Sequence, residues 1–189
     1  MNAVDQQERL LVTKELKWFL AGVIEGEGSV CVSIKTHPTC KFGYYVDPEF
    51  FIYQHESGIK LLHLATAVFG TGRISPKCGN EKVLVYSISS RRSLYEKVIP
   101  FFEKFMTFST KWETYLRFKE IVLAMVLEKK HLTREGLIGL VEKAYQMNPQ
   151  SKGKERKRTL SEVIERILRD HMPESTNVDK IWSDLHSDM

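Results

Sequence analysis

The sequence predicts an α+β fold, with one antiparallel sheet, helices on one of its faces and the other face left bare. Three observations carry this prediction. Periodic segments follow one another as helix, two strands, helix, two strands, helices, an αββαββα order with further helices behind it. Each pair of strands is joined by a short break that suits a hairpin. Ser29 to Lys35 alternates strictly, placing Val30, Val32 and Ile34 on one side and Ser29, Cys31, Ser33 and Lys35 on the other. Helices covering the apolar side leave the polar side to meet water or a ligand.

Taken in order, Thr13 is an N-cap candidate and Lys14 to about Glu25 reads as a helix, with Leu16, Phe19, Leu20, Val23 and Ile24 at helical spacing. The glycines at 26 and 28 are expected to end it. The first strand follows and breaks at His37-Pro38-Thr39. Gly43 to Gln54, rich in Tyr and Phe, reads as a second strand in which Asp47-Pro48 predicts a bulge or an edge position. Ser57 to Phe69 has the helical period and stops at Gly70-Thr71-Gly72. Arg73 to Lys77 and Lys82 to Ser89 are strands around a Cys78-Gly79-Asn80 turn. Ser93 to Phe105 is helical with Pro100 as an interruption. Lys111 to Lys129 and Thr133 to Met147 are further helices, and a last one runs from about Ser161 to His171. Between the last two lies the densest basic run, Ser151 to Arg158. Residues 1–172 are expected to form a single domain, followed by a flexible acidic tail over 173–189.

Composition narrows the function classes. The chain has 189 residues, 42% apolar and 28% charged, with a formal charge of +4 and a pI near 8.9. That balance suits a soluble globular protein, and its mild basicity is a weak pointer to nucleic acid. Three cysteines, Cys31, Cys40 and Cys78, form no CxxC pair, and their odd number argues for reduced thiols. The N-terminus lacks an apolar signal core, and no apolar run is long enough to span a membrane, so an intracellular protein with no membrane partner is expected. Bacterial or archaeal cytoplasm and an organelle remain equally open. No HxxH or HExxH spacing supports zinc. Gly26-x-Gly28 precedes a strand where a dinucleotide loop would open a helix.

The first helix ends in the segment Leu20-Ala21-Gly22-Val23-Ile24-Glu25-Gly26-Glu27-Gly28. Two carboxylates sit at the end of a helix, where the macrodipole disfavours negative charge. Gly22 and Gly26, four residues apart, share a face at up to ~1 kcal/mol each against alanine. Close approach of a second backbone is a physical return for that cost. Buried carboxylates need a partner, and a divalent cation is a good one.

These nine residues resemble the signature of the LAGLIDADG homing endonucleases. Leu20, Ala21, Gly22, Ile24 and Gly28 are identical to it, Glu25 and Glu27 stand for its two acids, and Val23 and Gly26 are conservative variations. The strand–helix order, Gly70-x-Gly72, and Phe118-Lys119-Glu120-Ile121 in the long helix extend the likeness over roughly residues 14–170. The resemblance implies an enzyme that binds a long double-stranded DNA site and cleaves both strands by Mg²⁺-dependent phosphodiester hydrolysis. It further implies 3′ overhangs, Mn²⁺ or Ca²⁺ as alternative occupants, and intron-encoded mobility. An intron RNA maturase with intron RNA as partner, or a non-cleaving DNA-binding protein on the same fold, is the alternative.

Only one signature is present: Leu137-Ile138-Gly139-Leu140-Val141-Glu142 continues into Lys143-Ala144 and lacks the final acid and glycine. The resemblance to the single-motif members therefore implies a homodimer packed through Leu20, Ala21, Gly22, Ile24 and Gly26, on a near-palindromic target. It makes Glu27 the metal ligand, helped by the Gly26 carbonyl, and gives Glu25 a structural part. Gln54 and Lys111 join Glu27 as catalytic candidates, although Thr110 stands where relatives carry a second lysine. The bare sheet face would meet the major groove through Ser33, Lys35, His37, Arg73, Ser75 and Lys77, with Phe51 and Tyr53 open between base contact and core. Lys152, Lys154, Arg156, Lys157 and Arg158 of the basic run would hold the DNA backbone.

Overall fold

The structure is a computed structural model in which residues 12–147 and 157–169 are described. Helix α1 (Lys14–Glu27) starts at Thr13, whose hydroxyl accepts from the Leu16 N–H at 3.4 Å. It runs two residues further than its pattern predicts. Gly26 does not stop it; the helix closes on the Gly28 N–H bond to the Ile24 carbonyl, and β1 (Gly28–Thr36) begins there. Both glutamates consequently ride on the last helical turn.

β2 (Tyr44–His55), β3 (Arg73–Lys77) and β4 (Asn80–Ile88) complete a four-stranded antiparallel sheet in the order β1-β2-β4-β3. β2 runs unbroken through Asp47-Pro48 with its burial alternating, and Pro48 takes the expected edge position. The reason lies in the register. β4 ends with Ile88 opposite Phe50, so Pro48, which has no N–H to give, stands beyond the last rung on that side. Register also sorts the faces: Phe50, Ile52 and Gln54 lie opposite Ile88, Tyr86 and Leu84, while Phe51 and Tyr53 lie opposite Ser87 and Val85.

The chain divides into two compact units. One takes the described residues up to Cys31 together with Pro48–Val122. In it α2 (Ile59–Phe69) packs on β4 and against α1, and α1 also meets α4 (Ile99–Phe105). The core is aromatic: Phe50 meets Phe69 and Phe102 at centroid distances of 5.5 and 5.8 Å, and Phe102 stacks on Tyr115 at 4.8 Å. Tyr115 belongs to α5 (Trp112–Val126). Gly70 ends α2 with φ of 61°, and Gly72 has φ of 98°, where a Cβ would come within 2.5 Å of the Tyr86 ring. The Tyr86 hydroxyl donates to the Thr71 carbonyl between them at 2.6 Å. Pro100 does not break its helix. A short α3 (Arg91–Ser93) passes through a π-helical turn, Leu94–Val98, straight into α4. The wider turn shifts the hydrogen-bond ladder just ahead of the residue that cannot donate to it.

The other unit takes Val32–Asp47 and the described residues from Leu123 onward. There α6 (Arg134–Met147) buries Leu137, Leu140, Val141, Ala144 and Met147 and packs with α7 (Leu160–Leu168), which buries Val163 and Ile167. Thr159 caps α7 in a capping box with Glu162.

Candidate functional site

The acidic end of α1 is held from the turn before α5. Glu25 accepts hydrogen bonds from the Ser109 hydroxyl at 2.5 Å, the Thr110 hydroxyl at 2.5 Å and the Thr110 N–H at 3.1 Å. Those bonds, the Ser109 one first, then Thr110, hold its carboxyl below the usual carboxylate range; the nearby Lys111 charge adds to the effect. Glu25 thus ties the last turn of α1 to the turn before α5.

Lys111 resolves the dipole problem. No basic residue stands in the last turn of α1. The Lys111 ammonium supplies the missing charge, donating to the carbonyls of Ile24 at 2.9 Å, Gly28 at 2.8 Å and Glu25. An ammonium has three protons, and all three are used here. In this arrangement Lys111 is a helix cap, and a direct role on a phosphate or a water would require it to leave these carbonyls.

The neighbouring groups are left free. Among the described residues, the Glu27 carboxylate and the Gly26 carbonyl form no hydrogen bond or ion pair, and Glu27 is exposed. Both are hard oxygen donors of the kind magnesium takes, one or two from protein with several waters. A single chain supplies no more: among the described residues no three His, Cys, Asp or Glu side chains cluster to hold a metal. These two oxygens would fill only part of such an ion's shell and leave the rest to water or other donors. Gln54 stands near the end of β2. It accepts from the His55 N–H at 3.2 Å, lies over Gly58, where a Cβ would come within 2.8 Å of its Oε1, and makes no hydrogen bond to Glu27.

The sheet residues read as DNA contacts fall into two groups. In the first unit, Arg73 and Ser75 stand opposite Ser87 and Val85, which in turn oppose Phe51 and Tyr53. This row lies on the side away from buried Phe50 and Ile52, so Phe51 and Tyr53 belong to the surface row and not to the core. The Lys77 ammonium lies 5.4 Å from the Tyr53 ring centroid, and Phe51 and Tyr53 tilt together at 6.0 Å. In the second unit, Ser33 is half-buried, and Lys35 is already paired with the Asp47 carboxylate. His37 is used in its own turn, its Nδ1 accepting from the Thr39 N–H at 3.3 Å and lying 2.8 Å from the Thr39 hydroxyl. Lys152, Lys154 and Arg156 lie outside the described residues. Lys157 and Arg158 are exposed, and the Arg158 and Arg166 guanidiniums lie 5.9 and 5.7 Å from the Tyr44 ring centroid.

The helix residues expected at a dimer interface need one correction. Leu20 and Ile24 are 0% exposed and Ala21 nearly so, all turned into the chain's own core, so they have little or no surface to offer a partner. The signature pattern does not distinguish the two sides of a helix that is apolar on both. The open side carries Gly22 and Gly26, where an added Cβ would meet nothing within 4 Å, flanked by exposed Trp18 and Phe19. Sequence reasoning also missed Ser109 and Thr110 as the Glu25 clamp. The hydroxyl pair before a helix was visible, but its acceptor is 84 and 85 residues away.

The family model of the LAGLIDADG endonucleases matches residues 20–122, from the signature through most of α5. This chain belongs to that family. The LAGLIDADG chain is 52% identical over 101 residues to the DNA endonuclease I-CeuI of Chlamydomonas moewusii, covering 53% of this chain and 46% of that one. It is 31% identical over 153 residues to the homing endonuclease I-ApeII of Aeropyrum pernix, covering 80% and 90%. The fold matches I-CeuI, a group I intron-encoded homing endonuclease complexed with DNA, with a TM-score of 0.75, 38% identity and coverage of 82% and 77%. It also matches the archaeal intron-encoded enzyme I-Vdi141I complexed with DNA, with a TM-score of 0.72, 34% identity and coverage of 80% and 93%. The chain thus spans about half the length of the Chlamydomonas relative and most of the Aeropyrum one. Among the described residues, no helix is long and apolar enough to cross a membrane.

Proposed function

We propose that this LAGLIDADG chain is an intron-encoded homing endonuclease that acts as a homodimer on a long, near-palindromic double-stranded DNA site. It hydrolyses one phosphodiester in each strand and leaves 3′ overhangs. The observation that carries the reading is the end of α1. Glu27 and the Gly26 carbonyl stand free on a turn that Lys111 and the Glu25 tether hold from behind, beside a glycine face open to a second copy.

In this reading two α1 helices meet across Gly22 and Gly26, so the two Glu27 carboxylates face a shared centre between the scissile phosphates. Mg²⁺ bound there would supply charge neutralisation and lower the pKa of a coordinated water. The chain's residues hold the geometry: Lys111 and Glu25 fix the turn, and Glu27 with Gly26 donates oxygen. Arg73, Ser75 and Lys77, with Phe51 and Tyr53 beside them, read the duplex, and Lys157 and Arg158 neutralise phosphate. Relatives of matching fold are described in complex with DNA, which supports the duplex as substrate.

The test uses the full-length protein, Mg²⁺ and plasmids carrying the joined flanking sequences of its encoding gene. Wild type should cut one site to a 3′-overhanging product. Glu27→Gln should bind the same site with similar affinity and not cut. Normal cutting by the Gln variant would remove Glu27 from the site. Binding of intron RNA without cleavage of any DNA would replace the nuclease reading with the maturase one.

A further inference from the structure

Phe108 lies in the turn between α4 and α5 and is 101% exposed, a phenyl ring with no cover at all. Beside it is a mainly apolar groove of about 260 Å³ lined by Trp18, Gly22, Phe105 and Met106, with Glu25 and Ser109 at its polar side and Phe108 itself in its wall. Trp18 forms one wall, held edge-on against Phe105 at 5.0 Å. The groove has ample room for a phenyl ring, since a cavity of ~150 Å³ already admits benzene.

A knob and a hole side by side on one surface are self-complementary. A two-fold axis between two copies lets each knob enter the other's hole, the arrangement an isologous interface requires. We infer that Phe108 is the reciprocal anchor of the homodimer, each ring seated in the Trp18–Gly22–Phe105 groove of the second copy. The inference rests on the homodimer proposed above and identifies the side chain that locks it.

The exposed aromatics add surface to this contact. Phe108, Phe19 and Trp18 are 101%, 55% and 48% exposed. At roughly 200 Å² per large aromatic, they leave about 400 Å² of ring uncovered on each chain, or on the order of 800 Å² for two. Stable interfaces bury about 1,200–2,000 Å² in total, so these aromatics supply roughly half of one and the surface around the α1 glycine face has to supply the rest. The anchor also touches the chemistry. Phe108 directly precedes Ser109 and Thr110, the two hydroxyls that clamp Glu25, so seating the ring pins the turn that holds the acidic end of its own α1.

Sedimentation of full-length wild type and Phe108→Ser across a concentration series tests this. Because Phe108 covers nothing within its own chain, the variant should melt and show circular dichroism like the monomeric wild type. An anchor aromatic is worth about thirtyfold in dissociation constant, and each dimer has two, so the variant's dimer should weaken by roughly a thousandfold. Cutting should then fail at dilute protein and return when two Phe108→Ser copies are joined in one chain. An unchanged dimer constant in the variant, with wild type dimeric, overturns the anchor while leaving the homodimer intact. So does an unchanged dimer that has lost DNA affinity, which would make DNA the occupant of the ring. A wild type that stays monomeric with and without DNA overturns the homodimer itself.

Discussion

Replacing Lys111 with methionine separates a helix cap from a catalytic cation. Methionine keeps most of the apolar stem and removes the ammonium. Three carbonyls, those of Ile24, Glu25 and Gly28, lose their donor. A hydrogen bond to a charged group is worth about 1.5–3 kcal/mol, and a cation at a helix C-terminus a further ~0.3–1 kcal/mol. The bonds share one donor and the freed carbonyls recover part of their solvation, so these figures do not add. We expect a loss of about 2–4 kcal/mol of folding stability. At roughly 2–4 °C per kcal/mol for a chain of this size, the melting temperature falls by roughly 4–16 °C. The assay is thermal unfolding of the metal-free protein without DNA, where no catalytic role can register. A variant that melts within a degree of wild type yet no longer cuts would show that the amine works on the phosphate or the water, and would refute the cap.

Glu25→Gln should weaken the tether at neutral pH. Its carboxyl titrates below the ordinary range in the folded chain, so the stability it contributes is present above the unfolded pKa and disappears as pH falls through the folded one. The stability gap between wild type and variant should therefore close on acidification, and a gap that stays constant with pH would exclude an ionised tether. Gly22→Leu adds a side chain whose Cβ meets nothing within 4 Å in the single chain. The isolated fold should gain about 0.5–1 kcal/mol of helix stability while association is lost, read by chemical denaturation and sedimentation respectively. Gly72→Ala puts a Cβ within 2.5 Å of the Tyr86 ring at a φ of 98° and should cost about 1–3 kcal/mol in urea unfolding.

The fold was largely legible because its signals are local. The period of Lys14 to Glu25, the alternation of Ser29 to Lys35 and the glycines at 70 and 72 depend on neighbours in sequence, and the structure reproduces all three with small shifts at the ends. One proline signal held and one misled, for a shared reason. Asp47-Pro48 and Pro100 are breakers by backbone chemistry, but a proline disrupts only where its missing N–H is needed. Pro48 lies beyond the end of β4, and the π-helical turn ahead of Pro100 has already shifted the ladder.

By itself the sequence determined the α+β order, the family and the position of the two acids, since each is written in contiguous residues. Tertiary structure alone decided their roles. Glu25 became a tether and Lys111 a cap because their partners lie 83 to 87 residues away in the sequence. Which side of α1 is spent on the core was likewise invisible in its pattern. Leu20 and Ile24 have the same apolar character as a partner-facing stripe would, and only packing against α2 and α4 turns them inward and leaves Gly22 and Gly26 open.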